Sequence, residues 1–364
     1  MTAQSLSAVV SFLVFARPAR LGYTWLALPV KAAVNDTYGA PDVVRIMDVE
    51  KPAPKDNELL IKVRATTVNR TDCGFRAAKP FFIRVISGIR KPKITILGSE
   101  FAGDVEAVGG GVTSFRPGDR VFGYADQTWG AHAEYMTIGE DGMVATIPAA
   151  RSYGDVAAGT EGSHYALSFM RSAKVRAGHD VLIYGATGAI GSAAVQIAKS
   201  LGANIVAVCD TPNIELVTTL GADRVIDYTA SDFTKDEQRY DAVFDAVGKI
   251  TFGRCRRVLK PHGAYLSSDL GPLSQNLLLA LVTRVLPGRT ASVPLPRQNR
   301  EVMNTLRDLI ESGDFKPVVD RHYPLDRIVE AYVYVETGRK IGNVVLDVDD
   351  PGASVDEAGT SSVD

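Results

Sequence analysis

A glycine-rich turn between two apolar segments constrains the fold of this chain more than any other feature. Residues 181–184 form a short apolar run of the kind that a strand buried on both faces needs. Three glycines follow, and apolar residues then recur at helical spacing up to Gly202, after which residues 205–208 form a second apolar run. This order of strand, turn, helix and strand predicts a βαβ unit, and therefore a parallel sheet.

The three glycines of this turn are spaced G-x-x-G-x-x-G instead of the more usual G-x-G-x-x-G. Without a Cβ the backbone can turn tightly, and a pyrophosphate can approach the amides at the N-terminus of the helix, where the helix dipole favours negative charge. We therefore predict a dinucleotide site, and the pattern leaves a turn without a ligand as the alternative. The predicted contacts are Gly185, Thr187, Gly188, Ala189, Ile190 and Gly191.

The composition is that of an ordinary globular protein. Its 364 residues are too many for one small core, so we expect two domains. A formal net charge of −2 gives no general attraction to nucleic acid. Only three cysteines occur, Cys73, Cys209 and Cys255, and none belongs to a C-x-x-C motif. The sequence therefore predicts neither a disulfide framework nor a structural zinc site, which fits the reducing cytoplasm.

Both ends of the chain are expected to lie outside the folded body. The apolar run at residues 8–16 is far shorter than the ~20 residues of a membrane-spanning helix, and no basic residue precedes it as in a secretory signal. We expect residues 1–29 to be disordered or absent from the native protein, with translation starting at Val30. Residues 350–364 have almost nothing to bury, which predicts a disordered acidic tail.

Two patterns divide the rest of the chain. Residues 61–65 alternate apolar and basic side chains, which is typical of a half-buried strand, and glycines and prolines separate short segments as in a small barrel, with no long helix before residue 155. Farther along, strands alternate with helices, among them a helix over residues 251–259. This second pattern predicts a doubly wound parallel sheet.

Two apolar segments stand apart from these patterns. Residues 77–93 interleave large apolar side chains with five cations and contain no acid. We interpret them as a lid or a helix packed on the barrel, with an interfacial membrane contact as the alternative. Residues 275–286 are too few to span a membrane, so we expect a helix that lines a pocket or faces a dimer partner. Within them, residues 81–89 and 277–286 are candidates for a lipophilic pocket mouth.

Seven segments, in order, resemble the medium-chain dehydrogenase/reductase superfamily over essentially all of residues 30–349. The matching segments are residues 68–72, 97–103, 105–112, 117–121, 130–135, the glycine turn and 220–223. The resemblance implies an α/β protein with a GroES-like β-barrel catalytic domain and a Rossmann doubly wound parallel-sheet domain. It assigns residues 30–153 and 299–349 to the first domain and residues 154–298 to the second. A cofactor is then expected in the cleft between them, and a homodimer is common in this superfamily.

Two departures decide the branch of the superfamily. Zinc alcohol dehydrogenases have a Cys where this chain has Asn69 and a His where it has Ser99, and an amide and a hydroxyl are poor replacements for a thiolate and an imidazole. The four-cysteine lobe of their structural zinc is also missing. We therefore predict that no metal is bound. The remaining pattern resembles the zinc-independent quinone oxidoreductases, and among them the bacterial group related to reticulon-interacting mitochondrial reductases.

The resemblance implies transfer of a hydride to a quinone or an α,β-unsaturated carbonyl. Such acceptors take up hydride readily, whereas an unactivated ketone would need a Lewis acid. The resemblance places Asn69 beside the nicotinamide ribose and the substrate, and Tyr124 and His132 in loops facing the cleft, so these three are the candidate catalytic residues. An enoyl-thioester reductase is the enzymatic alternative. A non-enzymatic NADPH sensor that associates with RNA or a membrane is the other.

The residues leave the choice between NADPH and NADH open. Asp210 lies 19 residues after Gly191, where an acid accepts hydrogen bonds from a ribose 2′-hydroxyl and repels a 2′-phosphate, which favours NADH. The related group uses NADPH, and Tyr228 resembles its tyrosine beside the adenosine phosphate. We predict NADPH, with NADH as the alternative, and add Val247 and Asn343 to the cofactor-binding residues. We also predict a cytoplasmic homodimer with a small-molecule substrate, no nucleic-acid partner and no stable membrane insertion.

Overall fold

The computed structural model describes residues 29–271, 274–294, 296 and 298–349. Residues 1–28 of the expected N-terminal extension and the expected acidic tail at residues 350–364 lie outside the described residues. The strands are β1 (Val30–Val34), β2 (Arg45–Val49), β3 (Glu58–Val68), β4 (Glu100–Val108), β5 (Arg120–Tyr124), β6 (Tyr135–Gly139), β7 (Met143–Thr146), β8 (Asp180–Tyr184), β9 (Asn204–Cys209), β10 (Arg224–Asp227), β11 (Tyr240–Asp245), β12 (Leu259–Ser267), β13 (Thr290–Ser292), β14 (Val319–Pro324) and β15 (Asn343–Asp347). The α-helices are α1 (Arg70–Ala77), α2 (Ile83–Ser87), α3 (Tyr153–Ala157), α4 (Thr160–Ala173), α5 (Ala189–Ser200), α6 (Ile214–Thr219), α7 (Phe252–Cys255), α8 (Gln275–Val285), α9 (Arg300–Ser312) and α10 (Ile328–Glu336).

A mostly antiparallel sheet forms the barrel part of the molecule. Its strand order is β14-β15-β3-β4-β5-β7, with β6 also paired to β3. Along β3 the side chains of Ile61 and Val63 are buried and those of Lys62 and Arg64 are half-buried, as the alternating pattern predicts. Because β15 pairs with β3, a strand from late in the chain joins the sheet that earlier strands form.

A parallel sheet of order β10-β9-β8-β11-β12-β13 forms the other part. The chain runs from β8 outward to β10 and then returns to β11 beside β8, so the strand order reverses between these two neighbours. Val181 and Ile183 are packed on one face of β8, and Leu182 between them on the other. A strand buried on both faces is what the apolar run predicts, and the βαβ prediction is confirmed by β8, α5 and β9.

One predicted helix is shorter than expected, and the barrel part contains two short helices. The helix predicted over residues 251–259 is only α7, because Leu259 already begins β12 and pairs with Tyr240 of β11. At the N-terminus of α1, Asn69 and Asp72 form a capping box in which each bonds the other's backbone amide. The inner side of α2 is buried, and its outer side chains are exposed. No helix within the described part of the chain is long and apolar enough to cross a membrane.

Candidate functional site

The glycine turn connects β8 to α5 at the carboxyl edge of the parallel sheet, where the strand order reverses. In open α/β sheets this is the position at which ligands bind. Gly185 has a φ of 79°, and a Cβ added to it would lie 2.6 Å from the side chain of Val247. A Cβ on Gly191 would lie 2.0 Å from the carbonyl oxygen of Gly185. Both positions therefore require glycine, which the spacing alone could not establish.

The N-terminus of α5 is suited to an anion. Its N-cap residue is Gly188, and no described side chain caps the helix, so the amides of the first turn keep their hydrogen-bonding capacity. A Cβ on Gly188 would meet its nearest neighbour only at 3.8 Å. Thr187 precedes this N-cap, and Ala189 and Ile190 are the first two residues of α5. The turn and helix therefore fit the phosphates of a dinucleotide, which would bring a nicotinamide as its reactive group.

The residue that precedes β15 is hydrogen-bonded to this turn. The amide of Gly342 donates to the carbonyl oxygen of Thr187 at 2.7 Å, and Gly342 forms an isolated parallel bridge with Gly188. The next residue, Asn343, is buried, and its Nδ2 donates to the carbonyl oxygen of Val318 at 3.1 Å. Asn343 therefore lies next to the turn, as predicted for a cofactor-binding residue, with its amide group engaged by the backbone.

The other predicted cofactor-binding residues follow neighbouring strands at the same sheet edge. Asp210 follows β9, and its carboxylate accepts a hydrogen bond from Asn213 Nδ2 at 2.6 Å. Tyr228 follows β10 and is 52% exposed, and its amide donates to the carbonyl oxygen of Cys209 at 3.0 Å. Val247 lies two residues beyond β11, against Gly185. The structure thus brings Asp210, Tyr228 and Val247 to the same edge as the glycine turn.

Asn69 and Ser99 meet on the barrel side. Asn69 Nδ2 donates to Ser99 Oγ at 3.1 Å and lies 3.4 Å from Glu100 Oε2. All three residues are buried. The two positions that hold zinc ligands in the zinc alcohol dehydrogenases are therefore adjacent in space, but they supply an amide nitrogen and a hydroxyl. No group of three or more His, Cys, Asp or Glu side chains in the described residues is arranged to hold a metal ion.

Tyr124 is placed differently from the expectation. Tyr124 is the last residue of β5, not part of a loop, and it is buried with its ring 5.4 Å from the ring of His164. Burial, with a smaller contribution from Glu161, raises the pKa of Tyr124 well above its usual value. The phenol therefore stays protonated at neutral pH and can donate a hydrogen bond.

His132 lies in the loop between β5 and β6, as expected, but it is only 1% exposed. Its Nε2 lies 2.8 Å from the carbonyl oxygen of Thr67, and its ring packs edge-on against the ring of Tyr332. Burial lowers the pKa of His132 to about 4, so the imidazole is neutral at neutral pH. Its catalytic role stays a prediction, and its position favours a structural one.

Sequence reasoning missed Glu161 and Lys340. Glu161 Oε1 accepts a hydrogen bond from Thr71 Oγ1 at 2.7 Å, and the Glu161 amide donates to Glu100 Oε1 at 2.7 Å. Burial and the charge of Glu100 raise the pKa of Glu161. Lys340 Nζ donates to the carbonyl oxygen of Gly342. Burial lowers the pKa of Lys340, and the charges of Glu161 and Glu100 oppose this shift. No motif in the sequence marks either residue, because Thr71, which bonds Glu161, and the acids that act on Lys340 are distant from them in the chain.

Two family models match the chain. One, described as an alcohol dehydrogenase GroES-like domain, matches residues 55–167, and the other, described as a zinc-binding dehydrogenase, matches residues 220–346. The barrel and the parallel sheet are thereby confirmed as the GroES-like and Rossmann parts that the sequence predicts. The chain belongs to the medium-chain dehydrogenase/reductase superfamily and to its quinone oxidoreductase-like group.

Named relatives agree with this assignment. The 2-methylene-furan-3-one reductase of Solanum lycopersicum is 31% identical over 89% of this chain and 81% of its own length. The chloroplastic NADPH-dependent alkenal/one oxidoreductase of Arabidopsis thaliana is 30% identical over 87% of this chain and 79% of its own length. Among solved structures, the quinone oxidoreductase from Coxiella burnetii superposes with a TM-score of 0.78 at 26% identity, and the match covers 88% of this chain and 99% of that one.

Proposed function

We propose that this protein is an NAD(P)H-dependent oxidoreductase that transfers a hydride to a quinone or an α,β-unsaturated carbonyl. The observation that carries this proposal is the uncapped N-terminus of α5 at the reversal of the parallel sheet, next to the barrel residues around Asn69. Glu161 connects the barrel residues to α5. It bonds Thr71 of α1, and the next residue, Gly162, lies so close to α5 that a Cβ there would be 2.5 Å from the carbonyl oxygen of Ala189. Relatives named for alkenal, furanone and quinone reduction support this class of acceptor.

The residues of the chain bind and orient the cofactor and the acceptor, and they exclude water from the site. A bound reduced nicotinamide supplies the hydride. The amides of the first turn of α5 hold the phosphates. On the barrel side Asn69 is fixed by its capping box and by Ser99, so its amide has one orientation for the cofactor ribose or the substrate. Tyr124, protonated at neutral pH, is the hydrogen-bond donor for the oxyanion that develops on the acceptor.

The donor set of Asn69 and Ser99 supports a reaction without zinc. An enone or a quinone needs hydrogen-bond donors more than a Lewis acid, because hydride addition is already favoured by conjugation. We expect turnover to be unchanged after exhaustive chelation and metal analysis to find no stoichiometric zinc. Activity that is lost on chelation and returns with added zinc contradicts this part of the proposal.

A panel of acceptors tests the function directly. The purified protein is mixed with NADPH or NADH and with quinones, enones or a crotonyl thioester, and oxidation is followed at the nicotinamide absorbance band. We expect oxidation with quinones or enones. A preference for the thioester would establish the enoyl-thioester alternative. Tight cofactor binding with no oxidation across the panel would establish the sensor alternative.

The cofactor preference, the oligomer and the location complete the proposal. We propose NADPH as the physiological donor, with NADH accepted. We also propose a cytoplasmic homodimer in which α8 and the edge strand β13 face the partner, since Leu278, Leu281 and Val285 are 63%, 68% and 81% exposed. Light scattering of the intact protein tests the dimer, and the double substitution Leu278→Ser with Leu281→Ser should give monomers.

A further inference from the structure

Residues 79–93, here called the basic apolar segment, expose large apolar side chains in a continuous stretch. Phe81, Val85, Ile86 and Ile89 are 74%, 72%, 64% and 71% exposed, and Phe82 is 46% exposed. Single exposed hydrophobic residues are normal on a protein surface, but a cluster of them marks an interaction site. This segment therefore has a surface that needs a partner.

The fold holds this surface outward. Ile83 and Ser87, one helical turn apart in α2, are the buried residues of this helix. Ser87 Oγ lies 2.8 Å from the hydroxyl of Tyr38, and that hydroxyl donates to the carbonyl oxygen of Gly88 at 2.7 Å. The Arg84 guanidinium lies 4.7 Å from the centre of the Tyr38 ring. These contacts fix the inner side of α2, so the exposure of its outer side follows from the packing of the segment.

The spacing of the outer side chains agrees with one amphipathic face. Phe82, Val85 and Ile86 follow the i, i+3, i+4 pattern that places side chains on the same side of a helix, and the exposed Ile89 follows just beyond the end of α2. In a helix packed on its own protein this face points inward. Here it points to solvent, because Ile83 and Ser87 occupy the inner side.

The charges around this face have one sign. Lys79, Arg90, Lys91 and Lys93 are exposed, and no Asp or Glu occurs between Asp72 and Glu100. The whole chain has a formal net charge of −2, so this local excess of cations is a property of the segment and not of the protein. Large apolar side chains interleaved with lysine and arginine are typical of a surface that rests on anionic lipid.

A second copy of the chain is a poorer partner for this face. A two-fold contact would bring each patch against the same patch of the other copy. Arg90, Lys91 and Lys93 would then face their own copies with no acid of the segment between them, and like charges across an interface oppose association. A lipid surface with phosphate groups instead offers charges of the opposite sign.

We propose that the basic apolar segment docks this protein on an anionic membrane surface. Phe81, Phe82, Val85, Ile86 and Ile89 enter the boundary between headgroups and acyl chains, and the lysines and arginines pair with lipid phosphates. The contact is peripheral and reversible. It does not depend on the hydride-transfer reaction, because none of these side chains contributes to the cofactor turn.

Sedimentation with vesicles tests this proposal on the full chain. One set of vesicles contains phosphatidylcholine only, and the other contains roughly 30 mol% phosphatidylglycerol in addition. We expect binding to the anionic vesicles, much weaker binding to the neutral ones, and a loss of binding as the salt concentration rises. No binding to anionic vesicles at low salt overturns the proposal, as does equal binding to both kinds.

Substitutions locate the contact. Phe81→Ser with Ile86→Ser should lower partitioning at least about tenfold, since two exposed apolar side chains are removed. Lys91→Gln and Lys93→Gln should each lower it about fivefold on anionic vesicles only. The matched control is Met47→Ser with Val333→Ser, which removes side chains that are 48% and 53% exposed elsewhere on the surface. Circular dichroism and thermal melting show that each variant is folded.

The same variants exclude other occupants. If wild-type protein is dimeric and Phe81→Ser with Ile86→Ser makes it monomeric, a second copy covers the face and the proposal fails. If the protein binds an acidic polypeptide through this segment and ignores vesicles, a protein partner covers the face and the proposal also fails. Unchanged vesicle binding by the variants places the contact elsewhere and overturns the assignment.

Discussion

The hydroxyl of Thr71 donates a hydrogen bond to the carboxylate of Glu161 at 2.7 Å. Thr71 belongs to the helix that Asn69 caps, and Glu161 belongs to α4, which packs through Gly162 against the first residue of α5. One hydrogen bond therefore connects the barrel side of the candidate site to the cofactor side. The backbone amide of Glu161 also bonds Glu100, so two acids share this buried position.

This shared position predicts a pH-dependent stability. Burial and Glu100 raise the pKa of Glu161 above the ordinary 4.5. The folded state then holds a proton that the unfolded state has lost, so the stabilisation is complete below about pH 4.5 and is lost as the pH rises through the raised pKa. Glu161→Gln removes this titration. We expect the Tm of Glu161→Gln to rise relative to the Tm of the wild type as the pH increases from about 5 to about 8.

Thermal melting across this pH range checks the prediction for Glu161. Lys340, Asp126 and Glu100 also face the carboxyl group, and Glu161→Gln leaves all three in place. The exposed Glu311→Gln is the control and should follow the wild type at each pH. A constant Tm difference between Glu161→Gln and the wild type would show that Glu161 keeps an ordinary pKa.

His132 should influence stability in acid more than catalysis. Its pKa is about 4 in the fold against 6.5 for an unperturbed histidine, so the unfolded state binds a proton first as the pH falls below 6.5. The unfolding free energy of the wild type should therefore fall by about 3 kcal/mol as the pH decreases from 6.5 to about 4. His132→Gln, which can still donate to Thr67, should lose less and keep kcat within about threefold. Denaturant titrations and initial rates measure both.

The catalytic prediction for His132 is tested by the same variant. A fall of about 100-fold in kcat, with an unchanged Tm at neutral pH, would show that the histidine takes part in proton transfer. A variant with normal kcat would leave Tyr124 as the better candidate for stabilising the oxyanion.

Gly191→Ala should weaken cofactor binding. Its Cβ would lie 2.0 Å from the carbonyl oxygen of Gly185, a distance at which the backbone of the turn has to move. Moving the turn displaces the amides that are proposed to hold the phosphates, so we expect Kd for NADPH to rise at least about tenfold. Quenching of protein fluorescence by NADPH measures Kd. Gly253→Ala is the control, because nothing lies nearer than 4.0 Å to its Cβ.

Asp210→Ser should shift the preference further toward NADPH. The carboxylate lies at the sheet edge where a 2′-phosphate would be placed, and it repels that charge. We expect kcat/KM with NADPH to rise relative to kcat/KM with NADH by about tenfold, the equivalent of ~1.4 kcal/mol. Initial rates with both cofactors give the ratio. Asp308→Ser, at an exposed position of α9, should leave the ratio unchanged, and a similar shift in that variant would contradict the assignment.

Local patterns in the chain were sufficient for much of the fold. The buried strand, glycines and helical spacing of residues 181–202 define β8 and α5, and alternation defines β3. The helix α9 ends at Gly313, whose φ of 84° lies in the left-handed region that favours glycine. These elements could be predicted because short-range spacing decides which side chains are buried.

Other features depend on contacts between distant parts of the chain. The capping box of Asn69 and Asp72 is the exception, because these residues are only three positions apart and the sequence does contain the motif. Glu161 had no local signal, because Thr71 reaches it only after the barrel and the sheet have assembled. Lys340 bonds Gly342 two residues later, but the charges of Glu161 and Glu100 act on it only in the assembled fold. The same holds for His132, whose burial depends on Tyr332 far along the chain.

The bond between Gly342 and Thr187 ties the residue before β15, a barrel strand, to the glycine turn of the parallel sheet. The isolated bridge between Gly342 and Gly188 adds a second tie at the same place. A substitution that displaces β15 should therefore weaken cofactor affinity, even at a position far from the turn in the chain.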